Sequence, residues 1–147
     1  MKTTIAVVTL FSIFATSYAK AYEVAVDITV ASRHLCDCNL NEKNEGIGLK
    51  ATDGRDIYVA GTFRNSFDEQ AVYAGYGKEL LFGNALQVKL GVAAGVVSGY
   101  QGTPGELKGF GAAQPFVLPY IEVGTKKQSA RFGLLGNAIT LQLSFKL

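Results

Sequence analysis

The sequence predicts an all-β chain closed into an eight-stranded antiparallel transmembrane β-barrel. Three observations carry that prediction. Apolar residues recur at every second position over long stretches, and no segment sustains a helical period. Tight turns alternate with longer polar or Gly-rich connections. The chain ends inside an alternating strand, on Leu141, Leu143, Phe145 and Leu147.

The 147 residues allow one domain, and residues 1–19 stand apart from it. Lys2 gives a short basic start, Ile5 to Ala15 an apolar core, and Ser17-Tyr18-Ala19 the small residues read by a signal peptidase. The segment reads as a secretory signal, too short to span a bilayer. Cleavage is expected after Ala19, with Ala21 the close alternative. Residues 20–147 then form the single barrel domain.

The strands follow in order. The first, 22–34, places Tyr22, Val24, Val26, Ile28 and Val30 on one face and Glu23, Ala25, Asp27 and Thr29 on the other. The second and third, 45–52 and 55–64, flank the turn Thr52-Asp53-Gly54-Arg55. The fourth, 70–81, meets the fifth, 85–99, at Phe82-Gly83-Asn84. Within the fifth, Leu86, Val88, Leu90, Val92, Ala94 and Val96 alternate with Gln87, Lys89, Gly91, Ala93 and Gly95. The sixth, 114–124, turns through Thr125-Lys126-Lys127-Gln128 into the seventh, 128–135. The eighth, 138–147, sets Gln142, Ser144 and Lys146 against the apolar terminal row.

Alternation alone does not say which row faces in. A soluble barrel turns its apolar row inward; an outer-membrane barrel turns it to lipid and fills the interior with charged and small residues. Several strands reach the ~9–11 residues that a tilted crossing needs. With both termini periplasmic, the short turns fall on the periplasmic side and 35–44, 65–69, 99–113 and 135–138 face outside. The absent Trp leaves Tyr and Phe to form the aromatic belt, and Leu147 stands where a terminal aromatic is commoner. The chain is 48% hydrophobic, high for a secreted domain of this size. Glu23, Asp27, Lys50, Arg64, Lys89, Gln142 and Lys146 are expected to form an interior salt-bridge and hydrogen-bond network.

No basic, aromatic-interleaved tract points to nucleic acid. No phosphate loop, dinucleotide fingerprint, zincin motif or nucleophile elbow is present, and no cofactor is expected. Cys36 and Cys38 lack partners at zinc spacing, so no metal is expected. They read as two loop thiols or a local disulfide.

The candidate catalytic residues come from topology. His34 ends the first strand, and Asn65 with Ser66 ends the third, on the same rim. Histidine is the natural base near neutral pH, and an Asn can orient an imidazole or polarise a carbonyl. Polar rim residues are also expected in any such barrel. Strict alternation puts His34 on the lipid-facing row, while Ser66, judged from Thr62 and Arg64, continues the lumen row. Contact between them would need a bulge or a loop reversal at the rim.

"ASRHL", "NEKNEGIGL", "IYVAGTFRNSFDEQAVYAGYGKEL", "LQVKLGVAAGVVSGY", "AAQPFVLPYIEVG" and the terminal "ITLQLSFKL" follow one another in this order. In that order the chain resembles the lipid A palmitoyltransferase family of outer-membrane barrels over nearly all of its length after the signal. The resemblance implies acyl transfer from an outer-leaflet phospholipid to lipid A at the outer surface. Carried over by position, His34 matches the family's essential histidine and Ser66 its serine. Asn65 falls where the enzymes carry aspartate, which removes a carboxylate that could stabilise an imidazolium. The amphipathic helix preceding the barrel in the enzymes has no counterpart; compact sequences of this look also occur among phage-borne proteins. Pro115 and Pro119, at the sixth strand, fit either a weakened seam for sideways entry of acyl chains or a shaped loop-to-strand junction.

Three functions follow. The first is an outer-membrane acyltransferase acting on phospholipid and lipid A, a monomer that uses His34, Ser66 and Asn65. The second is a non-catalytic small barrel acting in surface modification, adhesion or phage exclusion. The third is a soluble exported barrel that carries an apolar ligand.

Overall fold

The computed structural model describes residues 22–36 and 38–147; the expected signal segment and both expected cleavage points fall outside the described residues. Eight strands, β1 (Glu23–His34), β2 (Gly46–Asp53), β3 (Asp56–Arg64), β4 (Gln70–Phe82), β5 (Gln87–Val97), β6 (Gln114–Gly124), β7 (Gln128–Leu135) and β8 (Ala138–Lys146), pair antiparallel in chain order. β8 then closes on β1, with Ala25 opposite Lys146 and His34 opposite Ala138. Closure pairs the backbone around the ring and leaves no edge strand. Every expected strand is present, and each end lies within two residues of its expected position. The turns at Gly54 (φ 61°) and Gly83 (φ 80°) use the left-handed backbone that glycine adopts freely.

The outer face is rich in apolar side chains, and the interior divides into a charged half and an apolar half. The outer face exposes Ile47, Val72, Leu90, Val96, Val117 and Ile139, among other large apolar side chains. The interior at the turn end, where the described chain begins and ends, is ionic. Arg131 Nη1 reaches Asp27 Oδ2 at 2.8 Å, and its guanidinium meets Glu122 at 2.8 Å. Lys50 Nζ lies 2.9 Å from Glu122 and 3.4 Å from Glu79, and Lys89 bridges the same two acids. Tyr120 donates its hydroxyl to Glu79 at 2.8 Å. Three acids thus face three bases, so the buried charges compensate one another.

Asp27, Lys50, Lys89 and Gln142 take their expected interior places. Glu23 and Lys146 pair at the turn end, half in solvent. Arg64 departs from expectation: it lies on the outer face and binds Asp68 at 3.1 Å. The reason is that β3 carries its apolar row inward and its more polar row, Asp56, Tyr58, Thr62 and Arg64, outward. It sends Ile57, Val59 and Phe63 inward, which turns Arg64 out. Arg64 is the last residue of the strand, where a cation reaches solvent at little cost.

Two ladders stop short at the loop end. β1 pairs with β8 as far as His34 but with β2 only as far as Thr29, opposite Gly46. β6 pairs with β5 from Gln114, but with β7 only from Tyr120, opposite Gly133. The latter ladder ends where Pro119, which has no N–H to donate, would come next.

Candidate active site

The β1–β8 register shifts between Thr29 and Ala31. This bulge adds one residue to β1 and reverses the facing of everything after it. Before it, Ala25, Asp27 and Thr29 are buried; after it, Ser32 and His34 are. His34, which strict alternation would turn outward, therefore points into the barrel. The loop reversal also occurs. The chain leaves β3 at Arg64, turns at Asn65 and brings Ser66 inward. His34 Nε2 and Ser66 Oγ are 2.9 Å apart.

Asn65 is fully buried but turns away from the imidazole. Its Oδ1 accepts the backbone N–H groups of Phe67 at 2.9 Å and Glu69 at 3.0 Å, and its Nδ2 donates to the Gly99 carbonyl at 2.7 Å. The carboxamide thus ties the β3–β4 turn to the β5–β6 connection and fixes the backbone that carries Ser66.

Residues 38–45 take the place that β2 leaves vacant beside β1. Ser32 N–H donates to the Glu42 carbonyl at 2.9 Å, and Asn41 N–H to the Ser66 carbonyl at 2.9 Å. Asn44, buried, accepts the Ser32 hydroxyl and donates Nδ2 to the Arg64 carbonyl at 2.9 Å. This segment bridges β1 to β3 and holds His34 and Ser66 in register. Cys36 and Cys38 form a local disulfide at its start, the second of the two forms expected for them.

Below the pair lies a cavity of about 510 Å³. Val59, Phe63, Tyr73, Ala93, Phe116 and Leu118 give it apolar walls; Tyr120, Arg131 and Gln142 form its floor. The aromatic rings interlock, with Tyr73 5.9 Å from Phe63 and 6.4 Å from Phe116. Phe67 and Tyr100 stand edge to face at 6.1 Å near the mouth, where burial raises the Tyr100 phenol above its ordinary pKa. Pro115 and Val117 also line the cavity, although both side chains point to the outer face. The cavity therefore borders the unpaired β6–β7 stretch as well as the loop end.

Sequence reasoning found His34, Ser66 and Gln142 but missed Tyr120 and Arg131 of the floor and the acids that hold them, Glu79 and Glu122. Their signal was present as inward-row polar residues on strands otherwise apolar or Gly-rich. It also missed Asn44 as the side chain that locks the first loop to β3.

No family model and no curated protein sequence matches the chain.

Proposed function

We propose that the barrel spans the bacterial outer membrane and transfers an acyl chain from a phospholipid to lipid A. The observation that carries this reading is the His34–Ser66 contact of 2.9 Å at the mouth of an apolar cavity that borders the unpaired β6–β7 stretch. A hydroxyl beside an imidazole suits acyl transfer. A long apolar slot below that pair suits a hydrocarbon chain. The order of motifs shared with the lipid A palmitoyltransferase family points the same way.

Membrane insertion rests on the exposed apolar outer face. Such an area on a water-soluble barrel would drive association. Tyr22, Tyr58 and Tyr76 cluster on that face near the turn end, with ring separations of 6.2 and 5.4 Å, as an interfacial belt would. The outward cations Arg33 and Arg64 sit at strand ends, and a third, Lys78, is paired with Asp56 at 2.7 Å near the turn end.

In the reaction, the donor's acyl chain lies in the cavity with its ester carbonyl at the mouth. Ser66 Oγ attacks the carbonyl carbon as its proton passes to His34 Nε2. The ester C–O bond breaks, and the imidazolium returns the proton to the departing oxygen of the lysophospholipid. A hydroxyl of lipid A then gives its proton to Nε2 and attacks the acyl-serine; the acyl–Oγ bond breaks and Ser66 recovers its proton. Asn65 assists by holding the turn that presents Ser66.

Expression in cells lacking their own palmitoyltransferase, followed by mass spectrometry of lipid A, tests the proposal. A gain of one acyl chain that disappears in His34→Ala is the expected result. No gain, with the barrel present at the surface and heat-modifiable in gels, would point to the non-catalytic barrel instead. Purification as a detergent-free monomer would defeat the membrane assignment.

A further inference from the structure

Ser66 occupies one nitrogen of His34; a carboxylate stands at the other. Glu42 Oε1 lies 4.0 Å from His34 Nδ1 and accepts the His34 backbone N–H at 3.2 Å. Its carbonyl accepts the Ser32 N–H at 2.9 Å, and its Oε2 meets Arg33 Nη1 at 3.3 Å. Three consecutive residues of β1 therefore hold Glu42 against the end of the strand. His34 Nδ1 is buried and has no hydrogen bond among the described residues.

The tautomer follows from the other side of the ring. To accept the Ser66 proton, Nε2 must be bare, so the neutral ring carries its proton on Nδ1. That N–H is buried, and leaving it without an acceptor is costly. Glu42 Oε1 is the carboxylate oxygen in reach, and a small side-chain rotation would close 4.0 Å to a hydrogen bond. Asn65 does not fill this role, because its carboxamide is spent on Phe67, Glu69 and Gly99.

We propose that Glu42 is a positioning residue that completes a Ser66–His34–Glu42 relay. It holds His34 as the Nδ1–H tautomer and balances the positive imidazolium formed when Nε2 takes a proton. No proton passes to Glu42; its charge acts through His34. The inference rests on the acyl-transfer reading for its kinetic consequence, while its structural consequence stands alone.

The test compares wild-type protein with Glu42→Gln and Glu42→Asp, each purified as a folded barrel in detergent micelles. His34 is the chain's only histidine, so nitrogen NMR reports its ring without overlap. Wild type is expected to carry its ring proton on Nδ1. Glu42→Gln is expected to shift the ring toward the Nε2–H form and to lower kcat by about ten- to a hundredfold with KM nearly unchanged. Glu42→Asp is expected to restore part of both. An unchanged tautomer in Glu42→Gln, or a kcat within about twofold of wild type, would overturn the role of Glu42. If Ser66→Ala transfers acyl chains as well as wild type, the acyl-transfer reading falls, and the tautomer comparison alone decides Glu42.

Discussion

His34 Nε2 meets Ser66 Oγ at 2.9 Å across 32 residues of sequence, and a bulge of one residue makes the meeting possible. His34 closes β1, Ser66 follows β3, and irregular chain rather than a paired β2 lies between them at this end. The contact joins two strand ends that no regular ladder connects.

On the acyl-transfer proposal, removing either partner is expected to stop transfer without unfolding the barrel. His34→Ala and Ser66→Ala should each lower the rate by about 10²-fold or more, the usual worth of a positioned base or nucleophile. Lipid A mass spectra measure the loss. Heat-modifiable migration should stay as in wild type, because the cavity mouth contributes little to the ladder that holds the ring. In a wild-type incubation with donor but no acceptor, intact mass should show one acyl chain on Ser66.

Deleting Val30 is expected to remove the bulge and leave His34 inward, because Ala31 then takes the single outward place between Thr29 and Ser32 and the β8 partners of Ser32, Arg33 and His34 stay the same. The barrel should still form, since strands paired in register on both sides of the deletion remain. Activity should be kept. A fall as deep as in His34→Ala, with gel migration still heat-modifiable, would show that the bulge does more than set the direction of His34.

Arg131→Met is expected to destabilise the barrel by about 3–5 kcal/mol, because the buried Asp27 and Glu122 would lose the cation between them. The temperature at which gel migration changes should fall accordingly. Joining Arg131→Met with Asp27→Leu should cost less than the sum of the two single changes, since the pair is removed together. Strict additivity would show that the two do not interact.

On the acyl-transfer proposal, Ala93→Met is expected to shorten the chain added to lipid A. Ala93 is buried in the cavity wall beside Val59 and Tyr120, near the ionic floor. Its methyl group would become a side chain filling the slot from below. The mass added to lipid A should drop by whole methylene units, with total transfer lower for the long donors. An unchanged added mass would place the acyl chain elsewhere.

Much of the architecture could be derived from one dimension. A period of two says strand without reference to partners, and glycines at 54 and 83 mark turns through backbone freedom alone. Eight such runs, joined by alternately short and long connections, leave few topologies, and the closed meander is among them. β8 is the plainest case, with Ile139, Leu141, Leu143 and Phe145 outward and Gln142 and Ser144 inward as its sequence predicts.

Arg64 shows where that reasoning stops. Alternation assigns residues to two rows but does not say which row turns in, and β3 turns its apolar row inward where the other strands turn theirs outward. Facing is then decided by neighbours: Val59 and Phe63 complete the cavity that Tyr73, Ala93 and Phe116 begin. Glu79, Glu122 and Arg131 were hidden for a related reason, since each is compensated only by residues on other strands.

Sequence alone therefore determines the strands, their order and the rim on which His34 and Ser66 lie, because these follow from local periodicity and strand counting. Tertiary pairing decides that the two touch. A bulge is a mismatch between two strands, not a property of one, so nothing in β1 by itself reveals that its last residues face inward. The same holds for Glu42, whose carboxylate comes to the imidazole only when the first loop lies down between β1 and β3.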